Sequence, residues 1–289
     1  MAFAALLAAV LSVGVQPPFE PQSLAFWDAR HGLVQGFELR GKHRDAVWVT
    51  ADGGRTWRTV KRGPGPYWIA AVRGGSDGWI ALPGALVHSG DRGRTWSTFS
   101  RARVREPSFA TATDGWALSR AGLVATHDGG VTWHALRQPC GPTFWTSPPK
   151  LSLATPSTGW LVCVSTPGTG QQLKAVYETR DGGRHWRLRS ANWFGRRRLG
   201  NVPAVGYADG ISFLPNGHGW LPESRSSFYE TRDGGTRWRP LPISSPEVVE
   251  AHAAELLDDR VGVALIFYAR RLAFTRDGGQ TWRFGYRFR

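Results

Sequence analysis

One eight-residue motif recurs six times along the chain, and it limits the possible folds more than any other feature. Thr50 to Trp57 reads TADGGRTW and Ser89 to Trp96 reads SGDRGRTW. Thr126 to Trp133 reads THDGGVTW, and Thr179 to Trp186 reads TRDGGRHW. Thr231 to Trp238 reads TRDGGTRW, and Thr275 to Trp282 reads TRDGGQTW. The shared pattern is S/T-x-D-x-G-x-T-W, with His185 and Arg237 replacing the penultimate Thr in the fourth and fifth copies. Successive motif aspartates are 39, 37, 53, 52 and 44 residues apart. Periods of this size belong to solenoids, propellers and arrays.

A second signature precedes each motif and decides between these architectures. It reads Ser76-Asp77-Gly78-Trp79, Thr113-Asp114-Gly115-Trp116, Ser157-Thr158-Gly159-Trp160 and Asn216-Gly217-His218-Gly219-Trp220. Looser versions run from Asp28 to Leu33 and from Asp258 to Val263. Each is a polar turn followed by a short apolar strand. One strand enters this turn and a second leaves it. A third runs into the Asp motif and a fourth leaves at its Trp. Four antiparallel strands per repeat make a propeller blade. The expected fold is therefore an all-β, six-bladed β-propeller. Its blades lie at about 23–62, 66–101, 105–137, 150–190, 207–242 and 248–289. A seventh blade would need about 40 more residues than the termini provide.

The motif residues suit a structural task. Asp-Gly-Gly fits a tight hairpin turn, where glycine takes positive φ without strain. The carboxylates of Asp52, Asp91, Asp128, Asp181, Asp233 and Asp277 can accept bonds from their own turn and its hydroxyl. Trp57, Trp96, Trp133, Trp186, Trp238 and Trp282 can bury their rings and anchor the hairpins. Ten of the 15 tryptophans belong to the two signatures, so the unusual tryptophan content reports a fold before it reports a binding surface.

Composition supports this reading and bounds function. Hydrophobic residues at 41% are enough for a core, while 36 Gly and 19 Pro exclude a helical bundle. The net charge is +14, and all but four of the 36 basic residues are arginine. That field favours anionic partners. With no zinc-ligand set, basic helix or RNA-binding sheet motif, nucleic acid is not the expected partner. The eight histidines are scattered, so neither a metal site nor a cofactor is expected. Residues 1–22 read as a signal peptide or N-terminal anchor plus linker. Ala2 to Val15 is apolar, Ser12-Val13-Gly14 offers a cleavage site, and Pro17, Pro18 and Pro21 follow. Export to a periplasmic, extracellular or cell-surface location makes the only cysteines, Cys140 and Cys163, a candidate disulfide.

The repeated motif resembles the Asp-box, or BNR repeat, of sialidases, sortilin-type receptors and secreted glycosidases. Together with the Gly-Trp turn, it most resembles the propellers of the photosystem II stability and assembly factor family, over residues 23–289. The resemblance implies a non-catalytic scaffold or assembly factor. It also holds open a sialidase-like glycoside hydrolase, and binding of an anionic glycan or polymer is a further alternative. For the hydrolase, nine of the 13 Asp fall in the motifs and turns, leaving few for paired acid–base work. Tyr177-Glu178 and Tyr229-Glu230 are adjacent on strands, so their side chains point to opposite faces.

In sialidase-like propellers the site lies on the face opposite the Asp motifs, and the longest insertions here belong to that face. Two of them carry aromatics: Phe144-Trp145 in one, Trp193-Phe194 in the other, the latter running into Arg196-Arg197-Arg198. These residues form a candidate clamp for a protein partner, an acidic peptide or glycan, or a membrane headgroup layer. The competing reading packs the aromatics down and leaves the arginines solvated. A monomer is expected.

Overall fold

The structure, a computed structural model, describes residues 18–39, 44–141, 146–192, 199–224, 228–241, 251–266 and 270–288. They form a six-bladed propeller of four-stranded antiparallel sheets, with no helix among the described residues. Blade 1 comprises β1 (Phe19–Phe26), β2 (Gly32–Glu38), β3 (Arg44–Thr50) and β4 (Arg58–Gly63). Blade 2 comprises β5 (Trp68–Ala71), β6 (Gly78–Leu82), β7 (Ala85–Ser89) and β8 (Ser97–Ser100). Blade 3 comprises β9 (Arg105–Phe109), β10 (Gly115–Ser119), β11 (Gly122–Thr126) and β12 (His134–Ala135). Blade 4 comprises β13 (Ser147–Leu153), β14 (Gly159–Val164), β15 (Lys174–Thr179) and β16 (Arg187–Ala191).

In blade 5 a short ribbon of β17 (Tyr207–Ala208) and β20 (Glu223–Ser224) extends the sheet of β18 (Ser212–Phe213), β19 (Gly219–Leu221), β21 (Tyr229–Thr231) and β22 (Arg239–Pro240). Blade 6 comprises β23 (Ala251–Leu256), β24 (Gly262–Ile266), β25 (Arg271–Thr275) and β26 (Arg283–Arg287).

Each blade uses four consecutive stretches of chain, so no strand is exchanged to close the ring. β1 begins at Phe19, which takes the end of the expected linker into the propeller. The reason is packing. Phe19 is fully buried and stacks on Trp48 with ring centroids 4.2 Å apart. Phe288, near the C-terminus, is buried against Phe19, Trp48 and Trp57 at 5.7, 5.9 and 5.5 Å. An ion pair between Arg270 and Glu20 at 2.7 Å ties the same seam together.

The Gly-Trp turns explain how blades stack. In blades 1, 3 and 5 a phenylalanine of the blade's own first strand lies over the turn glycine: Phe26 on Gly32, Phe109 on Gly115 and Phe213 on Gly219. In blades 2, 4 and 6 a tryptophan of the preceding blade does so: Trp27 on Gly78, Trp116 on Gly159 and Trp220 on Gly262. A Cβ at Gly159 would sit 2.5 Å from the Trp116 ring, so only glycine fits there. Trp79 stacks on Phe109 at 3.6 Å and Trp160 on Phe213 at 4.3 Å. Their indole N–H groups donate to Gly129 and Gly234 carbonyls in the next blade. Buried stacked rings add about 0.5–1.5 kcal/mol each beyond their area.

Candidate functional site

The motif hairpins are closed local structures. The first residue's hydroxyl donates to the Asp carboxylate and accepts the N–H of the fifth residue, as with Thr50, Asp52 and Gly54. The same pair of bonds recurs around Asp91, Asp128, Asp181, Asp233 and Asp277. Each carboxylate also accepts the backbone N–H of the seventh residue. The bond from the Thr95 hydroxyl, with its N–H, holds Asp91 down at about 2, and Thr281 does the same for Asp277. His185 takes over the threonine's part with an Nδ1 contact of 2.6 Å to Asp181. Every hairpin then bonds to the Gly-Trp turn of its own blade, beginning with Gly53 N–H to the Arg30 carbonyl. These carboxylates are consumed by their own turns.

At the propeller axis, one position of each first strand faces the next blade. Its occupants are Ala25, Ala70, Ser108, Ser152, Ser212 and Glu255, all paired with the residue after the turn glycine. The serine hydroxyls accept N–H bonds from Leu153, Phe213 and Leu256 of the following blade at 2.9, 2.9 and 3.0 Å. Glu255 accepts the Phe26 N–H at 2.6 Å, so the ring seam has a carboxylate where blades 3, 4 and 5 have a hydroxyl.

A cavity of about 530 Å³ occupies the axis at the motif-hairpin end. Arg73 and Glu255 both line it. Arg73, from the turn of blade 2, donates to the Phe213 carbonyl at 3.2 Å, across the channel in blade 5. Burial pushes Glu255 up to about 7, opposed by Arg73 and the Phe26 N–H. At the rim, His218 bridges Glu230 at 2.9 Å and Asp259 at 3.0 Å, joining blades 5 and 6.

The opposite face has a different character. A groove of about 540 Å³ lies between blades 2 and 3. Trp68, Leu82, Val104 and Leu118 supply apolar surface, and Arg103, Arg105 and Arg120 rise around it, all exposed. None of the three arginines has an acidic partner among the described residues. In the segment Arg101-Ala102-Arg103-Val104 leading into β9, Val104 is buried while Arg101, Arg103 and Arg105 are exposed. Further round this face, buried Lys174 pairs with Glu223 at 2.9 Å and donates to the Pro203 and Gly206 carbonyls. It thereby pins the segment that joins blades 4 and 5.

Phe144, Trp145, Trp193, Phe194, Arg196, Arg197 and Arg198, the clamp suggested by the sequence, lie outside the described residues, as do residues 1–17. Cys140 and Cys163 form a disulfide that ties the insertion before blade 4 to β14. Arg73 is the one arginine lining the axial cavity among the described residues. Glu178 is bound by Arg180 and Arg189, and Glu230 by His218, Arg232 and Arg239, so the carboxylates of both Tyr–Glu pairs are engaged on third strands. No group of His, Cys, Asp or Glu among the described residues has a metal-binding arrangement.

Sequence analysis did not single out Arg73, Glu255 or the groove arginines. A column alignment carries the signal for Glu255: it stands eight residues before Val263, as Ser108 stands before Trp116 and Ser152 before Trp160. It is the one charged residue in that column.

No family model matches the chain, and no curated protein matches it. Solved structures do. One described as YCF48 bound to D1 peptide is 20% identical, with a TM-score of 0.53, over 93% of this chain and 82% of that one. YCF48 from Cyanidioschyzon merolae is 18% identical, with a TM-score of 0.53, over 94% and 87%. A GH74 enzyme from Niastella koreensis is 14% identical, with a TM-score of 0.57, over 91% of this chain and 46% of that one. At these identities the likeness is one of fold.

Proposed function

We propose that the chain is an exported, non-catalytic propeller that binds an acidic, extended segment of a protein partner on the face opposite the motif hairpins. The observation that carries the reading is the groove between blades 2 and 3. Three arginines without acidic partners among the described residues stand over an apolar floor of Trp68, Leu82, Val104 and Leu118. Such a surface suits alternating acidic and aliphatic side chains, with guanidinium forks on the carboxylates. The structure of YCF48 bound to a D1 peptide supports the idea that a propeller of this shape takes a peptide. The engaged state of the Tyr–Glu pairs weighs against the hydrolase alternative. The apolar run from Ala2 to Val15 supports export, and the Cys140–Cys163 disulfide suits an oxidising compartment.

The test is calorimetric titration of the full chain with a peptide of alternating Asp and Leu. Affinity should fall steeply with salt and drop about tenfold or more in the Arg103→Gln/Arg105→Gln/Arg120→Gln variant. Equal binding of an Asn–Leu peptide, or an unaffected triple variant, would overturn the proposal. Salt-sensitive binding of polyanions or anionic vesicles, with none of the peptide, would overturn it in favour of the polymer or membrane reading.

A further inference from the structure

From the charges inside the axial cavity, we infer that it binds a small aliphatic zwitterion of the α-amino acid type. The cavity's size is within the ordinary range for small-molecule sites, roughly 300–1,000 Å³. Leu24, Ile69, Leu151 and Ile211 contribute aliphatic patches to walls that are otherwise largely polar. Arg73 and, above about pH 7, the ionised Glu255 place two opposite charges on these walls. The Arg73 terminal nitrogens reach the Phe213 carbonyl and, at 3.5 Å, the Ser212 hydroxyl. Its Nε is buried and has no partner among the described residues. A buried donor of this kind carries an energetic penalty until an acceptor meets it.

Glu255 spends Oε2 on the Phe26 N–H. It interacts with Arg73 through space, while the hydrogen bonds of both groups go elsewhere. The rim adds Asp258, whose Oδ1 accepts the Arg260 and Val261 N–H groups at 2.7 Å while its Oδ2 takes no bond among the described residues.

This arrangement discriminates by charge. A simple carboxylate would meet Arg73 but also Glu255 and the acidic rim. A simple amine would meet the carboxylates but also Arg73. A molecule with both ends matches both halves: its carboxylate lies toward the Arg73 guanidinium, and its ammonium lies toward Glu255 and Asp258. An aliphatic side chain suits the aliphatic patches of the walls. This site is at the opposite end of the propeller from the peptide groove and does not depend on it.

Calorimetric titration of the full chain with L-leucine, isoamylamine and 4-methylpentanoate tests the inference. The three share one aliphatic chain and differ in their charged ends. Saturable binding of leucine, about tenfold or more tighter than either single-charge analogue, is expected. Arg73→Gln and Glu255→Gln should each weaken leucine about tenfold or more, and the groove triple variant should leave it unchanged. In the wild-type protein, leucine should also shift the Arg73 Nε–H resonance and raise the melting temperature, a readout independent of whether a variant folds. Absence of saturable leucine binding at millimolar concentration, equal binding of either analogue, or an unmoved Arg73 resonance on saturation would overturn the assignment.

Discussion

Glu255 makes the stability of the ring depend on pH near neutrality. Its carboxyl is held at about 7 against an ordinary 4.5, because burial disfavours the charge more than Arg73 and the Phe26 N–H favour it. A folded state that holds this proton more tightly than the unfolded chain is most stable below about pH 4.5. The contribution is lost as pH rises through about 7. At about 1.4 kcal/mol per pH unit, the span corresponds to about 3 kcal/mol. Glu255→Gln keeps the shape and an acceptor for the Phe26 N–H but cannot ionise. Urea unfolding at a series of pH values from about 5 to 8, on both proteins, isolates the effect. The two should be nearly equal at the acid end, and the variant should be more stable by up to about 3 kcal/mol at the alkaline end. Motif aspartates such as Asp91 and Asp277, held near 2, do not titrate in this window. A difference between the two proteins that stays constant within about 0.5 kcal/mol over the series would refute the burial argument.

Two further outcomes follow from backbone and packing. Gly159→Ala places a methyl 2.5 Å from the Trp116 ring and should cost about 1–3 kcal/mol in chemical denaturation. Gly210→Ala, with nothing within 4 Å, should stay within about 0.5 kcal/mol. Arg92 has φ 56° at the motif position where the other five copies have glycine. Arg92→Gly relieves about 1–2 kcal/mol of left-handed strain while losing the Asp28 contact at 3.2 Å, so a melting temperature a few degrees higher is expected by calorimetry.

The blade count and strand order were legible because both signatures are local. A turn glycine, its hydroxyl and its carboxylate lie within eight residues, so the chain spells them out. β1 was read short because Phe19 becomes a core residue only through Trp48 and Phe288, which are remote in sequence. The candidate sites were harder to read for the same reason. Arg73 matters because a turn of blade 2 faces blade 5 across the axis. The groove arginines gain meaning from the turns of blades 2 and 3 that meet beside them. The arginine run at 196–198 is conspicuous in the sequence, whereas Arg103, Arg105 and Arg120 come together only once the connection into β9 and the turn after β10 are placed side by side.

The alternating cover of the turn glycines has a consequence for how such a ring can change size. Phenylalanine covers Gly32, Gly115 and Gly219, and tryptophan from the neighbour covers Gly78, Gly159 and Gly262. The molecule is thus a trimer of two-blade modules written in one chain. Excising or duplicating a single blade would bring two units of the same type together and leave a glycine doubly covered or bare. Adding or removing a module of two keeps the alternation of covers intact. By this rule the natural step of expansion or contraction for the architecture is a pair, and recombinant rings of four or eight blades should assemble more readily than rings of five or seven.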